Sequence, residues 1–198
     1  MLQDLDKSLE ELLKRELPPG LMSQVSISFA APDSRFPPPR VSLPAIDLFL
    51  YDVRENNELR DNEWRIDRTS DGLSTARRAP VRVDCSYLVT AWPSDSAPSP
   101  AQDEHRLLGE VMYVLLRYPF LPAEILQGAM KEQEVPLPGI ALQSGRMQSV
   151  SEFWQALGGK PKASLNLTIT IGVTPTRPVD GGPVVTDYRF RSVAKRGA

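Results

Sequence analysis

The sequence predicts an α+β fold, a mostly antiparallel sheet with two principal helices packed on one face. Three observations predict it. Two segments, Leu2 to Leu17 and Leu107 to Leu116, place apolar residues at the three-and-four spacing of a helix, and three others, Ala45 to Val53, Val81 to Val89 and Leu165 to Ile171, carry strand patterns. Helices and strands do not follow the regular βαβ alternation that a parallel sheet requires. A chain of 198 residues has the length of one domain. The expected organisation is a single domain over 1–190 and a disordered basic tail over 191–198.

Each element has its own warrant. Leucines at 2, 5, 9, 12, 13 and 17 form one stripe, with Asp4, Asp6 and Glu10 early and Lys14 and Arg15 late, as the helix dipole favours, and Pro18-Pro19-Gly20 ends the helix. Val25 to Phe29 alternates with period two and reads as a strand half-buried on one face, followed by the loop APDSRFPPPR. Ala45 to Val53 is apolar at nearly every position, as a central strand covered on both faces requires. Residues 54–79 are charged and aperiodic, a hairpin extension or excursion with Trp64 as its anchor. Val81, Val83, Cys85, Tyr87 and Val89 then share one strand face.

After a Pro- and Ser-rich loop at 93–100, Asp103 is placed to cap a second helix running to about Tyr118, with Leu107, Leu108, Val111, Met112, Leu115 and Leu116 buried and Pro119 as the stop. A short helix is expected over Pro122 to Met130, an edge strand at most over Val135 to Ile140, and a brief helix after Ser149, whose spacing to Glu152 is that of a capping box, with Gly158-Gly159 as its end. Leu165, Leu167, Ile169 and Ile171 put four aliphatics on one face of a strand expected to pack beneath the second helix. Val184-Val185 and Tyr188 to Phe190 suggest one further strand. No internal repeat is present.

Composition narrows the function. Lys and Arg number 23 against 25 Asp and Glu, so no net positive field exists to draw nucleic acid. The single Cys85 excludes an intramolecular disulfide and a thiolate-built zinc site, and fits synthesis in a reducing cytoplasm. The acidic, amphipathic N-terminus is not a signal peptide, and no stretch reaches the ~20 apolar residues of a membrane span. His105 is the lone histidine and reads as a helix-surface or packing residue, and Cys85 as a buried, inert thiol. Leu157-Gly158-Gly159-Lys160 lacks the rest of a phosphate loop and reads as a helix stop. Trp64, Trp92 and Trp154 suit a ligand pocket or packing plugs equally well. No catalytic, metal-binding or cofactor-binding residue is assigned. A hydrolase using paired carboxylates and a sheet-edge peptide-binding adaptor are the alternatives.

Five stretches carry a family resemblance in order: Leu48-Phe49-Leu50-Tyr51-Asp52-Val53-Arg54-Glu55-Asn56 with Leu59-Arg60-Asp61-Asn62; Val83 to Trp92; Glu104-His105-Arg106-Leu107-Leu108-Gly109; Glu152 to Gly158; and Pro161-Lys162-Ala163-Ser164-Leu165. With them the chain resembles the N-terminal domain of the Pvc16-like family, tail terminator or cap proteins of phage-tail-like contractile injection systems. The resemblance implies a structural, non-enzymatic subunit of a homohexameric ring on the end of the inner tube and sheath, assembled in a bacterial cytoplasm as part of the particle. It describes no active site to carry over. On the residues themselves, 54–79 is the expected assembly surface, since Arg54, Arg60, Arg65, Arg68, Arg77 and Arg78 suit bidentate contacts with a neighbour's carboxylates.

Overall fold

A computed structural model describes residues 1–68, 73–133, 136–142 and 150–183. Along the chain run α1 (Leu2–Glu16), the short α2 (Pro19–Met22), β1 (Ser26–Ser28), β2 (Ala45–Glu55), β3 (Trp64–Arg68), β4 (Leu73–Arg78), β5 (Val81–Trp92), α3 (Pro100–Arg117), β6 (Phe120–Leu121), β7 (Leu137–Ala141), α4 (Val150–Ala156), β8 (Ser164–Val173) and β9 (Val179–Pro183). Six strands form one sheet in the order β1-β2-β5-β8-β7-β6, and β3-β4-β9 form a second, smaller one. Every pair is antiparallel except β1 with β2, where a loop long enough to return the chain makes the pairing parallel.

The large sheet has one apolar face. Cys85, Tyr87 and Val89 of β5 sit in register with Ile169, Leu167 and Leu165 of β8, and all six are buried under the stripes of α1 and α3. Leu5, Leu9, Leu12 and Leu13 supply the α1 stripe, and Leu107, Val111, Val114 and Leu115 that of α3, which lies over β5, β7 and β8. Polar contacts fix how α1 sits. The Tyr87 hydroxyl donates to Asp6 at 2.8 Å from beneath, and the Gln127 N–H donates to Ser8 Oγ at 2.9 Å from the side. Gly128 passes so close to Asp4, with φ +50, that a Cβ there would stand 2.5 Å from the carboxylate.

The two-helix α+β fold and the three principal strands stand as expected, with local corrections, the first that β2 is buried on both faces only over Ala45 to Leu48, Val53 being 46% exposed where the strand runs out toward the arm. α3 begins at Pro100 after Ser99, so Asp103 lies inside its first turn instead of capping it; proline at the first helical position starts the helix earlier. Leu116 is 52% exposed, and Val114 takes the core position assigned to it, because 107, 111 and 114 keep the stripe's spacing. Residues 122–130 form no helix but two 3-10 turns, Ala123–Ile125 and Gly128–Glu132, separated by extended backbone at Leu126 and Gln127. β7 is not an edge, since the two residues of β6 pair outside it. The expected strand beyond Val184, the basic tail and Ser149 of the capping box lie outside the described residues.

The opposite face of the sheet is polar and partly covered. α4 lies over it, Phe153 packing edge-on to Tyr51 while the Tyr51 hydroxyl donates to Asn166 Oδ1 at 3.3 Å. Asp84 is buried there, accepting from Asn56 Nδ2 at 3.0 Å and Thr170 Oγ1 at 2.8 Å. Asp47, fully buried, stands in register between Ser28 and Thr90, and neither of its oxygens has a hydrogen bond of good geometry. Burial pushes its carboxyl up to about 7, only partly offset by the Ser28 hydroxyl and the Ala30 N–H.

Candidate assembly interface

The excursion after β2 is an arm. At its root the Asn56 side chain accepts from the N–H groups of Glu58 and Leu59, both at 3.1 Å, while its amide nitrogen is held by Asp84. One asparagine therefore turns the chain out of the large sheet and ties the turn to β5. β3 and β4 then form a hairpin in the register Trp64↔Arg78, Ile66↔Ala76, with β9 alongside β4. Since residues opposite each other share a face, Trp64, Ile66, Ala76, Arg78 and Val179 lie on one side of this small sheet, and Arg65, Asp67, Thr75, Arg77 and Asp180 on the other. The first face is apolar and open, with Trp64, Ile66 and Val179 at 50%, 63% and 54% exposure. Trp64 is thus not a core anchor; it lies beneath the Arg78 guanidinium, 5.3 Å from its ring centre.

The structure gives each described arginine of the expected surface a partner within the chain. Arg54 binds Asp52 at 2.5 Å, and Arg60 grips Glu55 with two bonds of 2.7 and 2.6 Å. Arg65 lies 3.9 Å from Asp61, and Arg77 2.7 Å from Asp67. The Arg60 hydrogen bonds hold the Glu55 carboxyl below its ordinary range. The side chain of Arg68 lies outside the described residues. These pairs are solvent-exposed and add little stability, but they hold the guanidinium planes in fixed directions along the arm.

Away from the arm, Trp92 and Trp154 line a pocket of about 370 Å³ together with Phe36, Gly159, Pro161 and Lys162. Trp64 takes no part in it. Phe36 stacks on Trp92 with centroids 4.3 Å apart. Lys162 Nζ stands 3.8 Å above the Trp92 ring, donates to the Ala91 carbonyl at 2.6 Å and pairs with Glu104 at 3.2 Å. Burial lowers the Lys162 pKa against the opposing pull of Glu104. Gly158, at φ +67, ends α4 as expected, and a Cβ on Gly159 would come 3.1 Å from Trp154. The lining holds one carboxylate, Asp33, where a hydrolase would converge two.

Among the described residues no three His, Cys, Asp or Glu side chains cluster as a metal site would require. Cys85 is fully buried and its thiol is pushed up to about 12 by burial, then by Asp84 and Asp6. His105 is exposed on α3. Cys85→Ser is expected to destabilise the fold by about 1–3 kcal/mol, the cost of a buried hydroxyl without a partner, and His105→Ala to leave the denaturation midpoint unchanged.

Comparison with known proteins places this architecture. A sequence model of the Pvc16 N-terminal domain matches residues 4–187. Among solved structures the chain is similar to the sheath/tube terminator of PVC, an extracellular contractile injection system, in its extended state, at 22% identity and a TM-score of 0.68, over 100% of this chain and 64% of that one. It is also similar to the tube-terminating cap of the anti-feeding prophage, at 23% identity and a TM-score of 0.63, over 96% of this chain and 62% of that one. The chain thus spans less than two thirds of either protein. No curated protein matches it.

Proposed function

This chain belongs to the Pvc16 N-terminal domain family, and on that basis we propose that it is a structural subunit of the terminator that ends the inner tube, and with it the sheath, of a contractile injection particle. The observation that carries the reading is a fold held along the whole chain in common with two such terminators. In the proposed assembly, copies join head to tail into a closed sixfold ring, a heterologous interface whose rotation closes, and the ring denies the growing tube its next layer. A terminator works by shape and contact, so its working parts are surfaces. The arm carrying Arg54, Arg60, Arg65, Arg68, Arg77 and Arg78 is the surface proposed to meet neighbouring subunits, its guanidinium groups exchanging intrachain carboxylates for those of a partner. The particle is assembled in the cytoplasm of a bacterium before release.

Electron microscopy of particles carrying a gold-labelled tag on this chain tests the reading. The label is expected at one end of each particle. Arg54→Ala with Arg60→Ala is expected to leave the purified chain folded, because both pairs are exposed, yet to reduce end-labelling several-fold. Label spread along the particle, or found on none, would overturn the proposal.

A further inference from the structure

The two ends of the large sheet carry complementary features. At one end β5 finishes at Trp92 and β8 begins at Ser164, and there Pro32, Phe36, Trp92, Trp154 and Pro161 wall the pocket of about 370 Å³. Its volume is that of a small-ligand site, and its walls are aromatic rings and proline. The rings are fixed before anything binds. Phe36 stacks on Trp92, Lys162 stands over the same ring, and Trp154 is 1% exposed with Gly159 close against it. Of the charged lining residues, Lys162 is already paired with Glu104, while Asp33 uses one oxygen to accept from the Arg35 N–H at 2.7 Å.

At the other end β8 finishes at Val173, and residues 174–178 cross to β9 outside any helix or strand, all five exposed. They include Pro175-Thr176-Arg177-Pro178, two prolines three residues apart, the repeat of a polyproline II turn, with an arginine between them. The chain's other run of this spacing, Pro119-Phe120-Leu121-Pro122, is taken up as β6 against β7. A proline segment suits a dry aromatic pocket, because proline has no N–H to leave unpaired and its ring packs on Trp and Phe. β8 covers about 30 Å at roughly 3.3 Å per residue, so the pocket of the same chain is out of reach.

We propose that Pro175-Thr176-Arg177-Pro178 of one copy seats in the pocket of the next, its prolines on the rings of Phe36 and Trp154 and its Arg177 on Asp33. Ser34 and Lys160, exposed at the rim, donate to the carbonyls that the extended segment leaves open. Site and occupant lie at opposite ends of the sheet, so the contact is heterologous and repeats head to tail. The segment leads directly into β9 and so continues the arm proposed to meet neighbouring subunits. The inference deepens the terminator reading and rests on it for the closed ring, while the contact itself is a property of the isolated chain.

Fluorescence anisotropy of a dye-labelled synthetic peptide with the sequence of residues 173–179, titrated with the full chain, tests the contact. Saturable binding is expected, weaker by about tenfold or more for the peptide with Pro175→Ala and Pro178→Ala and for the peptide with Arg177→Glu. The Asp33→Lys chain, with its melting temperature unchanged, is expected to lose the unaltered peptide by a similar factor and to recover binding with the Arg177→Glu peptide. A peptide that does not bind, a proline-free peptide that binds equally, an Asp33→Lys chain with unaltered affinity, or an exchanged pair that fails to recover would each overturn the proposal. Particles labelled at one end, with no peptide binding, would remove this contact and leave the terminator reading; peptide binding with the label on no particle would do the reverse.

Discussion

Ile169→Ala lowers the melting temperature by about 5–15 °C, the effect of removing about 2–5 kcal/mol of core packing from a domain of this size. Ile169 is 1% exposed, stands in register between Cys85 and Gly139, and lies so close to the latter that a Cβ there would stand 3.0 Å from Ile169 Cδ1. Glycine on β7 thus fits the isoleucine tightly, and truncation leaves a cavity bounded by strand backbone that cannot collapse into it. One residue earlier, Thr168 points to the polar face, where its hydroxyl and that of Ser86 are 3.1 Å apart. Thr168→Ala is expected to cost about 1 kcal/mol, one hydrogen bond. Thermal unfolding of the two variants checks the assignment: a larger loss for Thr168→Ala than for Ile169→Ala would mean that the strand's faces are reversed.

Asp47 gives the second large effect. Its folded carboxyl ionises near 7, well above the ordinary value of 3.8 that it regains when the chain unfolds. Below both values the proton is on in either state and stability is unaffected. As pH rises between them only the unfolded chain ionises, so unfolding becomes easier, and above about 7 the loss is complete at roughly 4 kcal/mol. Asp47→Asn keeps the shape and cannot ionise. The variant should gain on the unaltered chain between pH 4 and pH 8, by up to that same figure of about 4 kcal/mol, in denaturant midpoints read at both pH values. Parallel pH profiles would show that Asp47 is not the group responsible.

Much of this fold was legible because its strongest signals are local. The leucine stripe of α1 and the alternation at Leu165 to Ile171 need only period and polarity and follow the observed burial, whereas β5, which alternates as clearly in sequence, is buried on both faces from Asp84 to Ala91 because β2 and β8 flank it and its polar side is covered as well. Ala45 to Val53 also read as a central strand, but nothing in its pattern marked Asp47 as buried, since that burial depends on Ser28 and Thr90 arriving from either side. β6 and β9 escaped for the same reason. Phe120–Leu121 is two residues between prolines and Val179–Pro183 is interrupted by two glycines, so neither shows a readable strand pattern, and they are strands because β7 and β4 offer them edges. Trp64 misled in the other direction: a tryptophan in a polar segment suggests an anchor, and here it is held by Arg78 on an open face. The arginines of the arm were visible as a composition, while their pairing with Asp52, Glu55, Asp61 and Asp67 depended on the turn at Asn56 and the hairpin register.

A chain that ends a tube controls how long the tube grows. The most direct measurement is the length distribution of injection particles, by negative-stain electron microscopy, from cells that make the chain and from cells in which its gene is deleted and then restored. Termination by this protein predicts tubes of broad and greater length, or sheathless tubes, in the deletion strain and a single narrow length on restoration. Particles of unchanged length and intact sheath in its absence would contradict the account.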